Sequence, residues 1–410
     1  MEIKTKSFTV GKKNIMISLP PYKGNLIKDY EELIYYFLGE KNFSDVALLG
    51  TAFDREDLDL LRNLRAHFNS GENEKFMALI YEEIMNSFVL AIQMQPELLP
   101  SDATGIVLEI IKLGRAHGTY RKDENGNLII GLNASYLISE ILSGKRKFMS
   151  TLSHELMHSY DNFLDESHEI AERIGGKSKS YIGSGKYWVY RLSVIIFRFF
   201  AILRTEGLPR FYQQFQHESI INVNPVFLEQ FKKVIFLMAD IQNPNEITRI
   251  EKNFNKIKFH GVACEAGSAM ISVIIIYRLL SSGQGFSAWI KEGLLHREMN
   301  ADRILEFWPN KNFTLRFSEE SAKRLVFEMI KNISAVSHLS FFKEYETACA
   351  YLKIDPLISI EFYNICKKKI WSNISSFEAH EAREVERMFQ YANKPDIKPG
   401  KIIAKKKGRK

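Results

Sequence analysis

Residues 151–161 read TLSHELMHSYD and place His154, Glu155 and His158 in the spacing HExxH. The chain has only 10 histidines among 410 residues, so this arrangement rarely arises by chance in such a composition. Two imidazoles at positions i and i+4 lie on one face of a helix and can bind the same metal ion. The stretch therefore predicts a metal site.

The surrounding residues predict a helix from residue 145 to residue 164 with one polar face and one apolar face. At about 100 degrees per residue, His154 and His158 are about 40 degrees apart, and Asp161 falls about 20 degrees to the other side of His154. Leu152 and Leu156 fall on the opposite face. Such a helix packs its apolar face into the core and presents its histidines to a cleft.

The residue types at this spacing fit zinc chemistry. Neutral imidazoles bind Zn²⁺ at about 2.0–2.1 Å and leave room for a third protein ligand and a water molecule. Zinc lowers the pKa of water from about 15.7 toward about 7 and polarises a substrate carbonyl. Glu155, about 100 degrees round the helix from His154, is expected to take the proton and later deliver it to the leaving amine.

Two segments upstream of the motif predict β-hairpins. Residues 7–19, SFTVGKKNIMISL, alternate polar and apolar side chains around a Gly-Lys-Lys turn, and residues 119–133 contain two extended runs around an Asn-Gly turn. Residues 127–133, NLIIGLN, are expected to form an edge strand that holds an extended peptide beside the metal. Residues 103–114, ATGIVLEIIKLG, instead predict a short helix.

The net charge of +7 is confined to one end of the chain. Residues 397–410 carry seven Lys or Arg and no acid, so the rest of the chain balances 49 basic against 49 acidic residues. No nucleic-acid binding is therefore expected of the folded part. The basic tail is expected to make at most weak electrostatic contact with a membrane surface or an acidic partner.

Cysteine usage and hydropathy limit the compartment and the class of protein. Three widely spaced cysteines indicate buried thiols in a reducing compartment, and the absence of a CxxC pair excludes a cysteine-based zinc ribbon. The apolar windows at residues 187–203 and 262–280 contain charges and predict buried core helices. Because residues 1–25 contain no apolar run of signal-peptide length, we expect a cytoplasmic protein, or one exported without a cleaved signal peptide, and no integral membrane protein.

On these residues the chain resembles the HExxH zinc metallopeptidases, and among them the gluzincins, whose third zinc ligand is a downstream glutamate. The metzincin pattern HExxHxxGxxH fails, because Asp161 and Leu164 stand at its glycine and last histidine. Glu206 lies 48 residues after His158, a spacing similar to that in thermolysin-like and lethal-factor-like families. The resemblance implies zinc as the cofactor, with His154, His158 and Glu206 as its ligands.

The segment RTEGLPRFYQQF, residues 204–215, also resembles the EGxA-type segment that carries the third ligand in several HExxH families. It departs from that pattern at Pro209, where alanine is usual. A proline three residues after the glutamate predicts that a helix begins near Pro209, with Glu206 at a junction between helices.

A rival third ligand is Glu298 in LLHREMNADRIL, residues 294–305. It resembles the ExxAD segment of membrane-embedded zinc proteases, in which the aspartate, here Asp302, supports the ligand. The gap of 140 residues from His158 is long, and the membrane helices of those families are missing. Glu206 is the preferred ligand, and Asp161, Glu169 and His168 are further alternatives close to the motif.

Other roles at the site stay open at this point. Asp161 is expected to orient a ligand imidazole, to tie down a neighbouring element, or simply to lie on the surface near a helix end. The donor that stabilises the oxyanion is expected to be a histidine or tyrosine, and His260, Tyr212 and Tyr181 are the candidates.

The sequence thus predicts an α+β protein that is mainly helical, with a zincin-like catalytic lobe, a small β-hairpin or edge strand, and helical flanking lobes. The expected divisions are an N-terminal lobe at 1–100, the catalytic lobe at 101–216, a helical lobe at 217–394 and the basic tail at 395–410. The expected function is zinc-dependent hydrolysis of peptide bonds in a protein or peptide. The alternative is a helical binding or scaffold protein that keeps a structural or vestigial zinc site.

Overall fold

The computed structural model describes residues 3–39, 73–142, 147–161, 175–239, 259–281 and 314–371, apart from short gaps, and a few isolated positions. Helices predominate and a small mixed sheet accompanies them, so the predicted α+β class with mainly helical content is confirmed. The chain divides into two compact units, residues 1–160 with 212–218, and residues 161–211 with 219–410. The lobes expected from the sequence stay a prediction.

The first unit contains a five-stranded sheet in the order β1-β2-β3-β5-β4. Strands β1 (Lys4–Val10) and β2 (Lys13–Leu19) form an antiparallel hairpin, which confirms the first predicted hairpin. Strand β3 (Ile106–Ile111) runs parallel to β2 on one side and to β5 (Leu128–Asn133) on the other. Strand β4 (Gly118–Lys122) pairs antiparallel with β5 at the edge of the sheet.

The second predicted hairpin is confirmed, because β4 and β5 flank an Asn-Gly turn. Gly126 has φ +82°, in the left-handed region that glycine adopts without strain. Asp123 accepts hydrogen bonds from the backbone N–H groups of Asn125 and Asn127, and so caps the turn. The prediction that residues 127–133 form an edge strand is wrong. They supply the interior strand β5, which is buried along its whole length, and β4 is the edge strand.

The short helix predicted at residues 103–114 is also wrong, because residues 106–111 form strand β3. Along IVLEII, buried and half-buried residues alternate, as expected of a strand whose successive side chains point to opposite faces of the sheet. The apolar run is rich in β-branched Ile and Val, which favour strands. Pairing with β2 and β5, remote in sequence, decides the structure of a run that is too short for periodicity to assign.

The described helices of the first unit include α1 (Leu26–Gly39), α2 (Asn73–Met94), α3 (Ala134–Leu142) and α4 (Lys147–His158). Helix α2 buries one face through Ile84, Phe88 and Ile92, which recur at helical spacing. Helix α4 packs against α2, α3, β4 and β5. The edge of the sheet and the motif helix are therefore direct neighbours.

The second unit is built from helices that pack around one long apolar helix. This central helix is α8 (Phe259–Ser281), and it contacts α5 (Gly185–Thr205), α7 (Pro225–Ala239) and α10 (His338–Leu352). The remaining elements are β6 (Ile220–Asn222), which pairs antiparallel with β7 (Thr314–Arg316), α9 (Glu320–Ala335) and α11 (Ile360–Trp371). Helix α6 (Gly207–Glu218) places its first residues in this unit and its last seven in the first unit.

Helix α8 is the one helix among the described residues that is long and apolar enough to cross a membrane. Its window Gly261–Leu279 is 83% buried within the protein, which agrees with the core helix expected there. Most apolar residues of α5 are likewise buried, including Tyr190, Phe199 and Leu203. All three cysteines are free and buried, as expected from their number and spacing.

Candidate metal centre

The two histidines of the motif lie one turn apart on helix α4. Their ring centroids are 5.1 Å apart with planes at 79°; His154 is half-buried and His158 is buried. Leu152 and Leu156 are fully buried, which agrees with the predicted apolar face of the helix. The helix therefore holds both imidazoles against each other while its opposite face packs in the core.

Glu155 lies between the histidines in sequence and is only 6% exposed. Its Oε2 atom is 4.0 Å from Nε2 of His158. Strand β4 begins beside it, at Gly118, where an added Cβ would lie 2.6 Å from Oε1 of Glu155 and 2.9 Å from Cγ2 of Thr151. Glycine lets the strand backbone pass directly against the carboxylate, and a larger residue here would displace the Glu155 side chain.

Buried Asn133 fixes the start of β4. Its backbone N–H donates to the carbonyl of His117 at 2.9 Å, and its side-chain amide donates to the carbonyl of Ala116. Two residues further along the strand than Gly118, the ring of Tyr120 lies 6.3 Å from that of His158 at 28°. Neither Gly118 nor Tyr120 was singled out from the sequence, although Gly118 directly precedes the predicted hairpin of residues 119–133 and Tyr120 lies in its first extended run.

Glu206 lies at a junction of two helices, as predicted from Pro209. It ends α5, where its N–H donates to the carbonyl of Ile202 at 3.0 Å, and its own carbonyl accepts from the N–H of Arg210 in α6 at 3.1 Å. Its backbone therefore belongs to both helices, and its side chain is half-buried.

A close contact between two glycines fixes this junction against α8. A Cβ on Gly207 would lie 2.6 Å from the backbone of Gly267, and one on Gly267 would lie 1.9 Å from the carbonyl oxygen of Leu203. No side chain fits at either position without moving backbone atoms. The glycine after Glu206 is explained by this packing, which the sequence alone did not reveal.

His154, His158 and Glu206 each offer a ligand atom, and these three atoms lie within 4.8 Å of one another. Ligands of one zinc ion bind at about 2.0–2.2 Å and are therefore less than about 4.4 Å apart. Rotation of half-buried side chains covers the difference, so this group can hold a metal ion. Two nitrogens and one carboxylate oxygen are a donor set that suits zinc.

The rival ligands differ in what the structure says of them. Asp161 is described and is not part of the group of three. The others lie outside the described residues: Glu298 with its neighbour Asp302, Glu169 and His168. The preference for Glu206 over Glu298 therefore stays a prediction.

The prediction that Asp161 continues the motif helix is wrong, because α4 ends at His158. Ser159 donates its hydroxyl to the carbonyl of Leu156, a local bond that competes with helix continuation. Asp161 follows the turn and forms a buried ion pair with Arg204 of α5. Of the roles considered for Asp161, the structure shows the tie to a neighbouring element.

Arg210, one turn after Glu206, pairs with Glu265 of α8, with Nε 2.7 Å from Oε1. Cys264 precedes Glu265 and is buried; burial first, and then the carboxylates of Glu206 and Glu265, raise the pKa of its thiol well above the ordinary value. This cysteine is therefore a neutral thiol, which is a poor metal ligand.

The three candidates for the oxyanion donor have different surroundings. Tyr212 is fully buried in α6, and Tyr181 is half-buried and stacks on Tyr190 with ring centroids 5.5 Å apart. His260 is the second residue of α8, and its side chain lies outside the description. The donor stays a prediction, and Tyr120 joins the candidates because its ring neighbours that of His158.

Comparison with known proteins adds no relative to this picture. No protein-family model, curated protein or solved structure matches the chain. The case for a function therefore rests on the residues themselves: a group of three metal-ligating side chains, with a buried carboxylate next to one of them and a sheet edge beside the helix.

Proposed function

We propose that this protein is a zinc-dependent peptidase with His154, His158 and Glu206 as metal ligands and Glu155 as general base. The observation that supports it most is the convergence of these three ligand atoms within 4.8 Å. Three protein ligands that include two imidazoles and one carboxylate are typical of catalytic zinc sites, whereas structural sites have four. Zinc, when bound, would lower the pKa of water and polarise a carbonyl.

The residues around the ligands supply the rest of the chemistry. Glu155 is held between Gly118 and His158, within a few ångströms of a ligand nitrogen, so it can take a proton from water and return it to the leaving amine. Its low exposure shields the proton transfer from bulk solvent.

A peptide is the substrate class that the surrounding fold favours. Among the residues that the structure describes, β4 is the edge strand of the sheet and pairs with β5, and an edge strand is the position at which a further strand can pair through backbone N–H and C=O groups. An extended peptide can add to such an edge and present a carbonyl beside the motif helix, against which β4 packs. A zincin-like fold for this lobe is part of the same proposal.

The test compares the zinc-loaded full chain with its Glu155→Gln variant on an unbiased peptide mixture, with cleavage read by mass spectrometry. At equal zinc content, Glu155→Gln is expected to lower the rate by about 100-fold to 10,000-fold, the usual contribution of a general base. Glu328→Gln, which only breaks an exposed ion pair with Lys331 on α9, is the control and should retain activity.

Three outcomes separate the alternatives. Cleavage by wild type that Glu155→Gln abolishes supports the peptidase. Equal cleavage by both proteins contradicts the role of Glu155. Zinc bound by both without any cleavage would instead favour a helical binding or scaffold protein with a structural zinc site.

A further inference from the structure

Arg204 is the largest fully buried side chain among the described residues, and its guanidinium is surrounded by acceptors from two distant segments, Asp161 and residues 334–338. One Nη donates to the carboxylate of Asp161, and the other donates to the carbonyls of Ser334 at 3.0 Å and Val336 at 2.7 Å. Nε donates to Nδ1 of His338 at 3.2 Å. The planar fork of arginine thus binds four groups at once, which lysine cannot do.

Stability alone gives a weak reason for a charge at this depth. Removing two ions from water costs more than their attraction returns unless every group is satisfied, and apolar residues of the same size often stabilise a core better. The pair of Arg204 and Asp161 is 0% and 3% exposed, so the cost of desolvation is nearly complete. The pair also fixes the relative position of the two segments that bear Asp161 and Arg204, and this geometric effect is the one that the inference below concerns.

Both residues of the pair lie close in sequence to proposed metal ligands. Asp161 comes three residues after His158, and Arg204 comes two residues before Glu206. Arg204 lies in the last turn of α5, and Glu206 is the residue that ends it. The groups that hold the Arg204 side chain therefore constrain the last turn of α5 directly before Glu206, in addition to the contact between Gly207 and Gly267.

His338 is suited to be a permanent acceptor for Arg204. Burial, and then the charge of Arg204, lower the pKa of His338 well below its ordinary value, so the imidazole is neutral. Its Nδ1 accepts from Arg204, and its ring is packed edge-on against Phe197 of α5 at 6.5 Å. His338, at the start of α10, therefore contacts both the Arg204 side chain and the helix α5 that carries Arg204.

We propose that Arg204 is a positioning residue that, through its bond to Asp161, holds Glu206 in the orientation needed to bind the metal. The inference rests on the proposed function, because it assigns Glu206 as a ligand. A merely structural Arg204 would stabilise the fold without affecting metal binding by the folded protein, whereas a positioning residue sets the metal affinity itself.

The test measures the zinc dissociation constant of full-length variants by competition with a chromophoric chelator, at a temperature at which circular dichroism shows each variant folded. Arg204→Met and Asp161→Asn are each expected to weaken zinc binding by about 10-fold to 100-fold. Arg204→Lys, which keeps the charge but not the fork, should fall between wild type and Arg204→Met.

Arg278 supplies the matched control, because it forms a bidentate pair with Glu344 in the same unit, away from Glu206 in sequence. Arg278→Met should lower the thermal midpoint and leave the zinc dissociation constant unchanged. If Arg204→Met does not fold, Asp161→Asn decides, since asparagine keeps the size of the side chain and removes the negative charge that pairs with Arg204.

Unchanged zinc affinity in folded Arg204→Met, or in Asp161→Asn when Arg204→Met does not fold, would overturn the positioning role while leaving the peptidase proposal intact. Equal weakening in Arg278→Met would overturn it as well, because the effect would then follow stability. Absence of zinc binding by wild type would overturn both proposals. Weaker zinc binding in the Arg204 and Asp161 variants, with unchanged zinc binding in Arg278→Met, supports the inference.

Discussion

The two histidines and Glu206 are brought into one group by different means. His154 and His158 owe their relation to the periodicity of one 12-residue helix. Glu206 lies between two helices, and its surroundings depend on Gly267 and on His338, 61 and 132 positions later in the chain. The comparison teaches that a motif specifies two ligands locally, while the third depends on packing that no short pattern contains.

The strongest effect on zinc binding is expected from removing either of the two histidines, which the motif helix alone brings together. His154→Ala or His158→Ala should weaken zinc binding by more than about 100-fold, beyond what the loss of a supporting residue costs, because a ligand itself is removed. Equilibrium dialysis with elemental analysis measures it. His117→Ala, a histidine stacked on Tyr136, is the control and should bind zinc normally; equal loss there would contradict a specific pair.

The distant half is tested next by Gly267→Ala, which puts a methyl group 1.9 Å from the carbonyl oxygen of Leu203. Overpacking against backbone should lower the free energy of unfolding by about 1–3 kcal/mol and displace the junction at Glu206, so zinc binding should weaken too. Thermal unfolding and zinc titration measure the two effects. Gly175→Ala, whose added Cβ would meet no described atom within 4 Å, should change neither, and normal zinc affinity in Gly267→Ala would refute this dependence.

A smaller and more selective effect is expected at Gly118, beside the proposed base. The added Cβ of Gly118→Ala would lie 2.6 Å from Oε1 of Glu155, so the carboxylate must move. A displacement of about 1 Å can cost about 100-fold in rate, while the three zinc ligands remain. Turnover and zinc affinity are measured together, with Gly176→Ala as control. Equal loss of both would show that the substitution disturbs the whole helix.

The smallest effect concerns His338, whose pKa burial and Arg204 lower well below the ordinary 6.5. Below pH 6.5 the unfolded chain binds a proton there that the folded protein does not, so stability falls as the pH falls and is unaffected above it. Between pH 7.5 and pH 5.5, wild type should lose more stability than His338→Asn, by on the order of 1 kcal/mol, measured by urea unfolding. Identical pH dependence in both proteins would contradict a buried neutral histidine.

The sequence predicted what local patterns determine. The spacing of His154 and His158, the apolar face at Leu152 and Leu156, both hairpins, and the helix junction at Glu206 all follow from periodicity, turn residues or proline. Each of these features is complete within about fifteen residues, so the sequence contains all the information that the inference needs.

The failures share a dependence on distant partners. Residues 106–111 form a strand because they pair with β2 and β5. Strand β5 lies between β3 and β4, so β4 is at the edge of the sheet. Asp161 lies beyond the end of α4 and pairs with Arg204, 43 positions later in the chain. Neither strand order nor the partner of a buried charge is encoded in the local spacing of residues.

The most direct test of the central claim is a zinc titration by isothermal calorimetry of the wild-type chain beside Glu206→Ala and Glu298→Ala. The account predicts one zinc ion per wild-type chain, binding more than about 100-fold weaker in Glu206→Ala, and no change in Glu298→Ala. Normal binding by Glu206→Ala together with loss in Glu298→Ala would contradict it and transfer the third ligand to Glu298.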